Sequence, residues 1–166
     1  MLRDKKNVSG RGIEIDQAEI VRCIEKGIPV VQADIDHGLA EHGDHTYDYV
    51  VLNRTLQVIH NPELVLKEMV RVGKKGIVSV PNFAHWEVRL QLLLRGRMPT
   101  TRMLPHPWYL SPNIRLCTIE DFRELCEKLG IVIIREVAFV DGEPGEMTSA
   151  SNLIAEEGLF VISRRA

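Results

Sequence analysis

The sequence predicts an α/β fold, with a mainly parallel sheet and helices on both of its faces. Short apolar runs rich in valine and isoleucine alternate with helical patterns along most of the chain, as repeated strand–helix units require. Residues 47–80 contain one complete unit, in which two apolar strands flank a helix that begins with Asn61 and Pro62. Such a unit is right-handed and its two strands are parallel.

Length and composition are those of a single globular domain. The chain has 166 residues, of which 45% are hydrophobic and 27% charged, and its net charge of −2 does not indicate a nucleic-acid partner. Three cysteines without metal-type spacing are typical of reduced thiols in a cytoplasmic protein. No apolar stretch approaches the roughly 20 residues of a membrane span. We predict no metal site, and the oligomeric state, a homo-oligomer included, stays open.

Two strands and a helix are predicted before the central unit. The strands are residues 12–15 and 29–33, and the helix between them ends at Gly27. Asp16 is its predicted N-cap, with Glu19 completing a capping box. The side chains expected to be buried by this helix are Ile20, Val21 and Ile24. A polar loop, residues 37–46, then leads to the central unit.

The pattern changes in residues 84–113, which we interpret as an insertion. Residues 86–94 form a predicted helix and residues 96–112 are rich in proline and turn residues. The apolar stripe of the helix consists of Trp86, Leu90, Leu93 and Leu94. The stripe suits a core helix, a lid or a docking surface. Because it is wide and bordered by arginines, we weigh partner docking equally with core packing.

A further helix and two strands complete the predicted domain. Thr118 and Asp121 form a capping box for a helix that ends at Gly130. Residues 131–139 and 159–163 are strands joined by a loop, residues 141–151. Because no strong helical pattern separates these two strands, they are expected to pair antiparallel.

Three consecutive predicted strands end in polar side chains, namely Glu14, Asp34 and Asn53. Ligands of open α/β sheets bind beyond the carboxyl ends of the strands, where a carboxylate can accept both hydroxyl protons of a ribose. A polar side chain after the next strand could hold an adenine amino group. The series favours an adenosine-containing cofactor, and the alternative is that Glu14 and Asp34 are only polar strand ends and helix caps.

Several strings resemble a known family. GIEID, VVQADID and residues 47–83 are similar to the cofactor half of class I S-adenosylmethionine-dependent methyltransferases, which have a Rossmann-like fold. The stretch PNFAHWEVRLQLLLRGRMPTTRMLPHPWYLSPNIRLCTIEDF closely resembles the MetW family of methionine biosynthesis proteins. The likeness covers residues 1–130. It implies methionine biosynthesis beside a homoserine O-acyltransferase, MetX.

The resemblance also implies roles for single residues. Glu14, with Ile15 beside it, matches the ribose-binding position, and Asp34, with Ile35 beside it, matches the adenine-contacting position. Asn53 matches a position near the methionine moiety of S-adenosylmethionine. No catalytic residue is implied.

The family's first strand and its glycine-rich loop, of the form DLGCGDG, have no counterpart in this sequence. Residues 1–6 resemble the tail of the helix that follows that loop. The strand is central in the family's sheet, so its loss would leave two inner edges with unpaired backbone groups, each costing about 1–3 kcal/mol if buried. We expect that the chain is a fragment, that its start is misassigned, or that another chain fills the gap. We also expect weaker cofactor binding.

Three functions are compatible with these observations. The first is a MetW-like protein of methionine biosynthesis that acts with a homoserine O-acyltransferase, either as an enzyme or as an accessory protein. The second is an S-adenosylmethionine-dependent methyltransferase of a small molecule. The third is a nicotinamide-dependent oxidoreductase, in which an acid after the second strand is also expected.

Overall fold

The computed structural model describes residues 8–165, so the predicted helical tail of residues 1–6 lies outside the described residues. The chain divides into two compact units, Met1–Gly38 and Leu39–Ala166. Each unit contains its own sheet, of two strands in the first and five in the second. Strands and helices follow one another as predicted, which confirms the α/β class.

The first unit consists of two short parallel strands and one helix. Strand β1 (Gly12–Glu14) pairs with β2 (Val30–Gln32), and helix α1 (Gln17–Glu25) connects them. Asp16 caps α1 as predicted, because its carboxylate accepts hydrogen bonds from the amides of Ala18 and Glu19 at 2.7 and 3.1 Å. The predicted capping box is wrong, since the carboxylate of Glu19 binds Arg22 at 2.5 Å instead.

The predicted burial along α1 is also wrong. Helix α1 has no buried residue, and Val21 and Ile24 are 50% and 64% exposed. The reason is the size of the neighbouring sheet: two strands of three residues each offer too little apolar surface to cover one side of a nine-residue helix.

The second unit is built on a mixed sheet with the strand order β3-β4-β7-β5-β6. Its strands are β3 (Tyr47–Asn53), β4 (Gly73–Pro81), β5 (Ile131–Val140), β6 (Glu143–Glu146) and β7 (Glu157–Arg164). Its helices are α2 (Pro62–Val72), α3 (Trp86–Arg95), α4 (Ile119–Lys128) and α5 (Ser151–Ile154). Strands β3 and β4 are parallel and joined by α2, which confirms the predicted central unit. Strands β5 and β7 are antiparallel, also as predicted.

The predicted loop of residues 141–151 is wrong in part, because it contains β6 and the first residue of α5. Asp141 and Gly142 have positive φ angles of 52° and 84°, and Val140 pairs with Glu143. This is the two-residue hairpin turn that an Asp-Gly sequence favours. The helix α2 passes directly into β4 at Gly73.

The core of the second unit lies where α2 and α4 pack on the sheet. The rings of Phe122 and Phe160 are 4.4 Å apart, and both side chains are buried. Gly76 allows the side chain of Ile162 on the neighbouring strand β7 to pack closely, because a Cβ atom there would lie 2.8 Å from Ile162 Cγ1. Thr118 and Asp121 form the predicted capping box of α4, which fixes the start of that helix against the core.

Two strand edges are open within residues 8–165. Strand β3 pairs only with β4, and β1 pairs only with β2. On β3, the side chains of Tyr49 and Val51 are exposed although they belong to an apolar strand. The open edge of β3 therefore presents apolar side chains to solvent.

Candidate functional site

Glu14 lies at the carboxyl end of β1, as predicted. Its Oε1 atom accepts hydrogen bonds from the backbone amides of Ile15 at 2.8 Å and Asp16 at 3.0 Å. The side chain of Ile15 is exposed. The two hydrogen bonds to Oε1 hold the carboxylate in one orientation. No contact within the described part of the chain engages Oε2, so this oxygen can accept a hydrogen bond from a hydroxyl group.

Asp34 follows β2 and begins a 3-10 turn, Ile35–His37. Its Oδ1 accepts a hydrogen bond from the amide of Asp36 at 2.9 Å, and its Oδ2 lies 3.4 Å from His37 Nδ1. The side chain of Ile35 is half-buried. The amide of Ala33 donates to the carbonyl of Glu14, so Glu14 and Asp34 end neighbouring strands at the same edge. The carboxylates of Glu14 and Asp34 also accept hydrogen bonds from nearby backbone amides. This agrees with the alternative that the two acids are polar strand ends and caps.

Asn53 ends β3 in the second unit, opposite Ser79 of β4. Its Oδ1 accepts a hydrogen bond of 2.7 Å from the hydroxyl of Ser79, which in turn accepts from the amide of Arg54 at 3.1 Å. The buried Ser79 therefore fixes the side chain of Asn53. The role of Asn53 near the methionine moiety stays a prediction.

Arg54 continues from β3 in the left-handed region, with φ of 50°. Its guanidinium binds Glu157, with Nε 3.0 Å from Oε2 and Nη2 in close contact with the same oxygen. Glu157 is buried at the start of β7, and this hydrogen bond raises the pKa of Arg54 above its usual value. A non-glycine residue at positive φ is costly, and the ion pair between the half-exposed Arg54 and the buried Glu157 stabilises this conformation.

A narrow cavity lies beside the end of β4 in the second unit, and its enclosed interior of about 20 Å³ has room for only one or two water molecules. Its wall is formed by the start of α3, by residues 101–104 and 113–117 of the predicted insertion and the segment after it, and by Gln57. Its charged lining residues are Glu87, Arg102, Arg115 and Glu156. Arg102 pairs with Glu156, and Arg115 donates to the carbonyl of His60 at 2.7 Å.

Asn82, directly after β4, belongs to the wall of this cavity, and its side chain is buried and fully hydrogen-bonded. Its Nδ2 donates to the carbonyls of Asn152 and Ala155 at 3.1 and 2.8 Å. Its Oδ1 accepts from the amides of Ala84 and Ile119 at 3.1 and 3.3 Å. Since every polar atom of the side chain is used to join chain segments, Asn82 has a structural role.

The half-buried thiol of Cys117 and the buried thiol of Cys126 are not activated by their surroundings. Burial, with a smaller effect of Asp121, raises the pKa of Cys117 to about 11, and burial, with a smaller effect of Glu136, raises the pKa of Cys126 to about 12. Both thiols are therefore protonated at neutral pH, whereas a cysteine nucleophile has to be a thiolate. The described residues contain no cluster of three or more histidine, cysteine, aspartate or glutamate side chains placed to hold a metal ion.

Sequence comparison decides the family. Residues 1–162 match the family model described as methionine biosynthesis protein MetW. The chain belongs to the MetW family. It is 38% identical over 142 residues to the bifunctional methionine biosynthesis protein MetXA/MetW of Rhodopirellula baltica, which covers 85% of this chain. The MetW chain spans only 23% of the length of that relative.

The MetW fold is similar to those of solved methyltransferases. A SAM-dependent methyltransferase of Thermotoga maritima superposes with a TM-score of 0.68 at 16% identity, covering 93% of this chain and 72% of that one. A SAM-dependent methyltransferase of Archaeoglobus fulgidus gives 0.65 at 12% identity, covering 98% and 79%. At these identities the comparison establishes the Rossmann-like fold of the MetW chain.

Sequence reasoning missed the residues that surround the cavity in this MetW protein. Gln57 lies in a 3-10 turn, Leu56–Val58, that was not predicted. The contacts of Arg54 with Glu157 and of Arg102 with Glu156 join residues 103 and 54 positions apart, so no local pattern reports them. No helix within residues 8–165 has the length and apolar character needed to cross a bilayer.

Proposed function

We propose that this MetW family member is an accessory protein of methionine biosynthesis that binds S-adenosylmethionine and acts on a homoserine O-acyltransferase. The observation that carries the proposal is the bifunctional MetXA/MetW relative, which unites a part like this chain with a second named part in one polypeptide. Fusion keeps two parts together at high effective concentration, so separate chains of the same kind are expected to bind each other. The family match favours this function over an oxidoreductase.

Residues of the first unit are proposed to bind the adenosine part of the cofactor. Glu14 would accept a ribose hydroxyl through Oε2, since Oε1 is already held by two amides. Asp34 would accept the adenine amino group, and Ile15 and Ile35 would contact the apolar faces of the base. These donor and acceptor types fit an adenosine group. When bound, S-adenosylmethionine supplies a methyl group on a sulfonium.

The acyltransferase is proposed to dock on the exposed apolar stripe of α3, formed by Trp86, Leu90, Leu93 and Leu94. These positions follow the spacing of one helix face, yet all four side chains are at least 44% exposed. Val88 is the buried residue of this helix. An apolar stripe on a well-formed helix that faces solvent is typical of a binding surface.

The test is a mixture of this chain with a homoserine O-acyltransferase, followed by light scattering after size exclusion and by the acyl-transfer rate. We expect a complex of both proteins and a rate that depends on the added chain. A rate unchanged at saturating concentrations of this chain, with no complex, would overturn the partner assignment. Calorimetry with S-adenosylmethionine tests the cofactor part separately.

Glu14→Ala is expected to weaken S-adenosylmethionine binding by roughly tenfold or more, because a hydrogen bond to a charged group is lost. The dissociation constant is measured by calorimetry. Glu19→Ala is the matched control, since this exposed acid of α1 binds only Arg22 among the described contacts. Equal affinities of the Glu14→Ala variant and the unaltered chain would remove Glu14 from the site.

A further inference from the structure

Three consecutive apolar side chains near the end of the predicted insertion face solvent. Trp108, Tyr109 and Leu110 are 72%, 68% and 65% exposed. The rings of Trp108 and Tyr109 pack edge to face, with their centroids 5.8 Å apart. A large apolar patch exposed on a folded protein is typical of a binding surface. These three residues lie outside the site proposed for the cofactor and outside the apolar stripe of α3.

Residues 107–110, which we call the aromatic turn, have a defined backbone shape. The amide of Leu110 donates to the carbonyl of Pro107 at 2.9 Å, as in a β-turn. Pro105, Pro107 and Pro112 each fix one backbone φ angle in this part of the chain. The two aromatic rings therefore stand at the tip of a stiff turn.

Hydrogen bonds also fix the chain on both sides of the aromatic turn. Before it, Thr101 and Leu104 exchange backbone hydrogen bonds of 3.0 and 3.2 Å. After it, the amides of Ile114 and Arg115 donate to the carbonyl of Gln57 at 3.0 and 2.9 Å. A turn that is already ordered loses little conformational entropy on binding, so most of the apolar contact of its rings adds to affinity.

The insertion that contains the aromatic turn is basic. Residues 84–113 contain four arginines, one glutamate and no lysine or aspartate, so their formal charge is +3, whereas the whole chain has −2. Arg102 pairs with Glu156, but the exposed Arg95 and Arg97 form no ion pair among the described contacts. Their charges are therefore available to a partner. A two-fold contact between copies of this chain would bring two such basic surfaces together, which is unfavourable.

We infer that the aromatic turn inserts into an apolar pocket of the homoserine O-acyltransferase, and that the rim of this pocket is acidic. The identity of the partner rests on the proposed function. Tryptophan and tyrosine side chains that fill a pocket contribute much of the binding energy of an interface. The arginines complement an acidic rim and accelerate association. A second copy of this chain and an anionic lipid surface are the other occupants that the experiment distinguishes.

The experiment records the fluorine NMR spectrum of the chain labelled with 5-fluorotryptophan. The chain has two tryptophans, and the Trp86→Phe variant assigns the remaining signal to Trp108. The unlabelled acyltransferase adds no signal. Trp86 reports the docking proposed for the stripe of α3, and Trp108 reports the aromatic turn. On addition of the acyltransferase, we expect the Trp108 signal to move and to lose its H2O/D2O isotope shift, which measures exposure to water.

Trp108→Ala is expected to weaken the complex by at least ~30-fold, mainly through faster dissociation. Because Trp108 is exposed, this variant is expected to keep the stability of the unaltered chain. Tyr49→Ala is the matched control, since it removes another exposed aromatic side chain, outside the insertion, and is expected to leave the affinity unchanged. Both constants are measured by interferometry.

The joint replacement of Arg95 and Arg97 by glutamate tests the acidic rim. We expect the association rate constant at low salt to fall by at least ~10-fold and the dissociation rate constant to change little. Arg11→Glu with Lys26→Glu makes the same change in net charge in the first unit and is the matched control. Equal association rates of the two double variants would overturn the acidic rim.

The spectra separate failure of this inference from failure of the proposed function. A complex in which the Trp86 signal moves and the Trp108 signal stays as in the free chain would overturn the inference alone. A Trp108 signal that moves with the concentration of the labelled chain alone would assign the turn to a second copy. A signal that moves with vesicles of phosphatidylcholine and phosphatidylserine but not with the acyltransferase would assign it to lipid, and either result overturns the inference. The absence of any complex would overturn the proposed function and this inference together.

Discussion

Replacing Leu90 and Leu93 together by aspartate is expected to abolish the complex with a homoserine O-acyltransferase. The two side chains are 44% and 81% exposed on α3. Two carboxylates in an apolar interface would have to be desolvated without a partner, so we expect affinity to fall by at least ~100-fold. The dissociation constant, measured by calorimetry or interferometry with the purified acyltransferase, checks this.

The choice of these two positions follows from the geometry of α3. Trp86, Leu90, Leu93 and Leu94 recur at intervals of four, three and one residues and so share one side of the helix. Around the helix axis Leu90 lies between Trp86 and Leu94, and Leu93 is the most exposed of the four side chains. The following loop is tied to the same helix, since Gln91 exchanges hydrogen bonds of 3.2 and 3.3 Å with the backbone of Thr100.

A matched control separates loss of apolar surface from damage to the helix. Leu90→Met with Leu93→Met keeps the volume, the apolar character and the helix propensity, so this variant is expected to retain the complex. Because Leu90 is partly packed, the melting temperature of the aspartate variant is measured as well. Leu93→Asp alone, at the more exposed position, serves if the double variant melts early. An intact complex of a folded aspartate variant would show that this stripe is not the docking surface.

The same helix shows what sequence patterns report. Periodicity predicted correctly that four apolar residues of α3 share one side, because the 3.6-residue repeat is a local property. It did not decide between core and surface, because burial depends on elements far away in the chain. Helix α1 illustrates the opposite error: Val21 and Ile24 have the spacing of a buried side, but the neighbouring two-stranded sheet is too small to cover them.

The candidate sites divide in a similar way. Glu14 and Asp34 could be predicted because strand ends are readable from the sequence and parallel neighbours end at one edge. The cavity beside β4 could not, because its wall combines residues as far apart in the sequence as Gln57 and Glu156. The hairpin at Asp141 and Gly142 was readable from its dipeptide, and treating the segment as a loop overlooked that signal.

Asn82→Ala is expected to lower the free energy of unfolding by about 3 kcal/mol or more, because each buried group left without a partner costs on the order of 1–3 kcal/mol. The side chain is only 4% exposed and takes part in four hydrogen bonds. These bonds join the end of β4 to the first residue of α4 and to the segment between α5 and β7. Removing them leaves the carbonyl of Ala155 and the amide of Ile119 without that partner. Urea unfolding measures the change.

Asn82→Asp sharpens this prediction, since the two side chains have the same shape. The carboxylate replaces the Nδ2 donor by an oxygen that faces the carbonyls of Asn152 and Ala155, so repulsion is added to the lost hydrogen bonds. Its effect on stability is expected to be at least as large as that of alanine and to shrink as the pH falls and the carboxyl group is protonated. Asn113→Ala, at another asparagine of the same unit, is expected to cost less than about 1 kcal/mol. An unchanged free energy of unfolding in Asn82→Ala would contradict the structural role of Asn82.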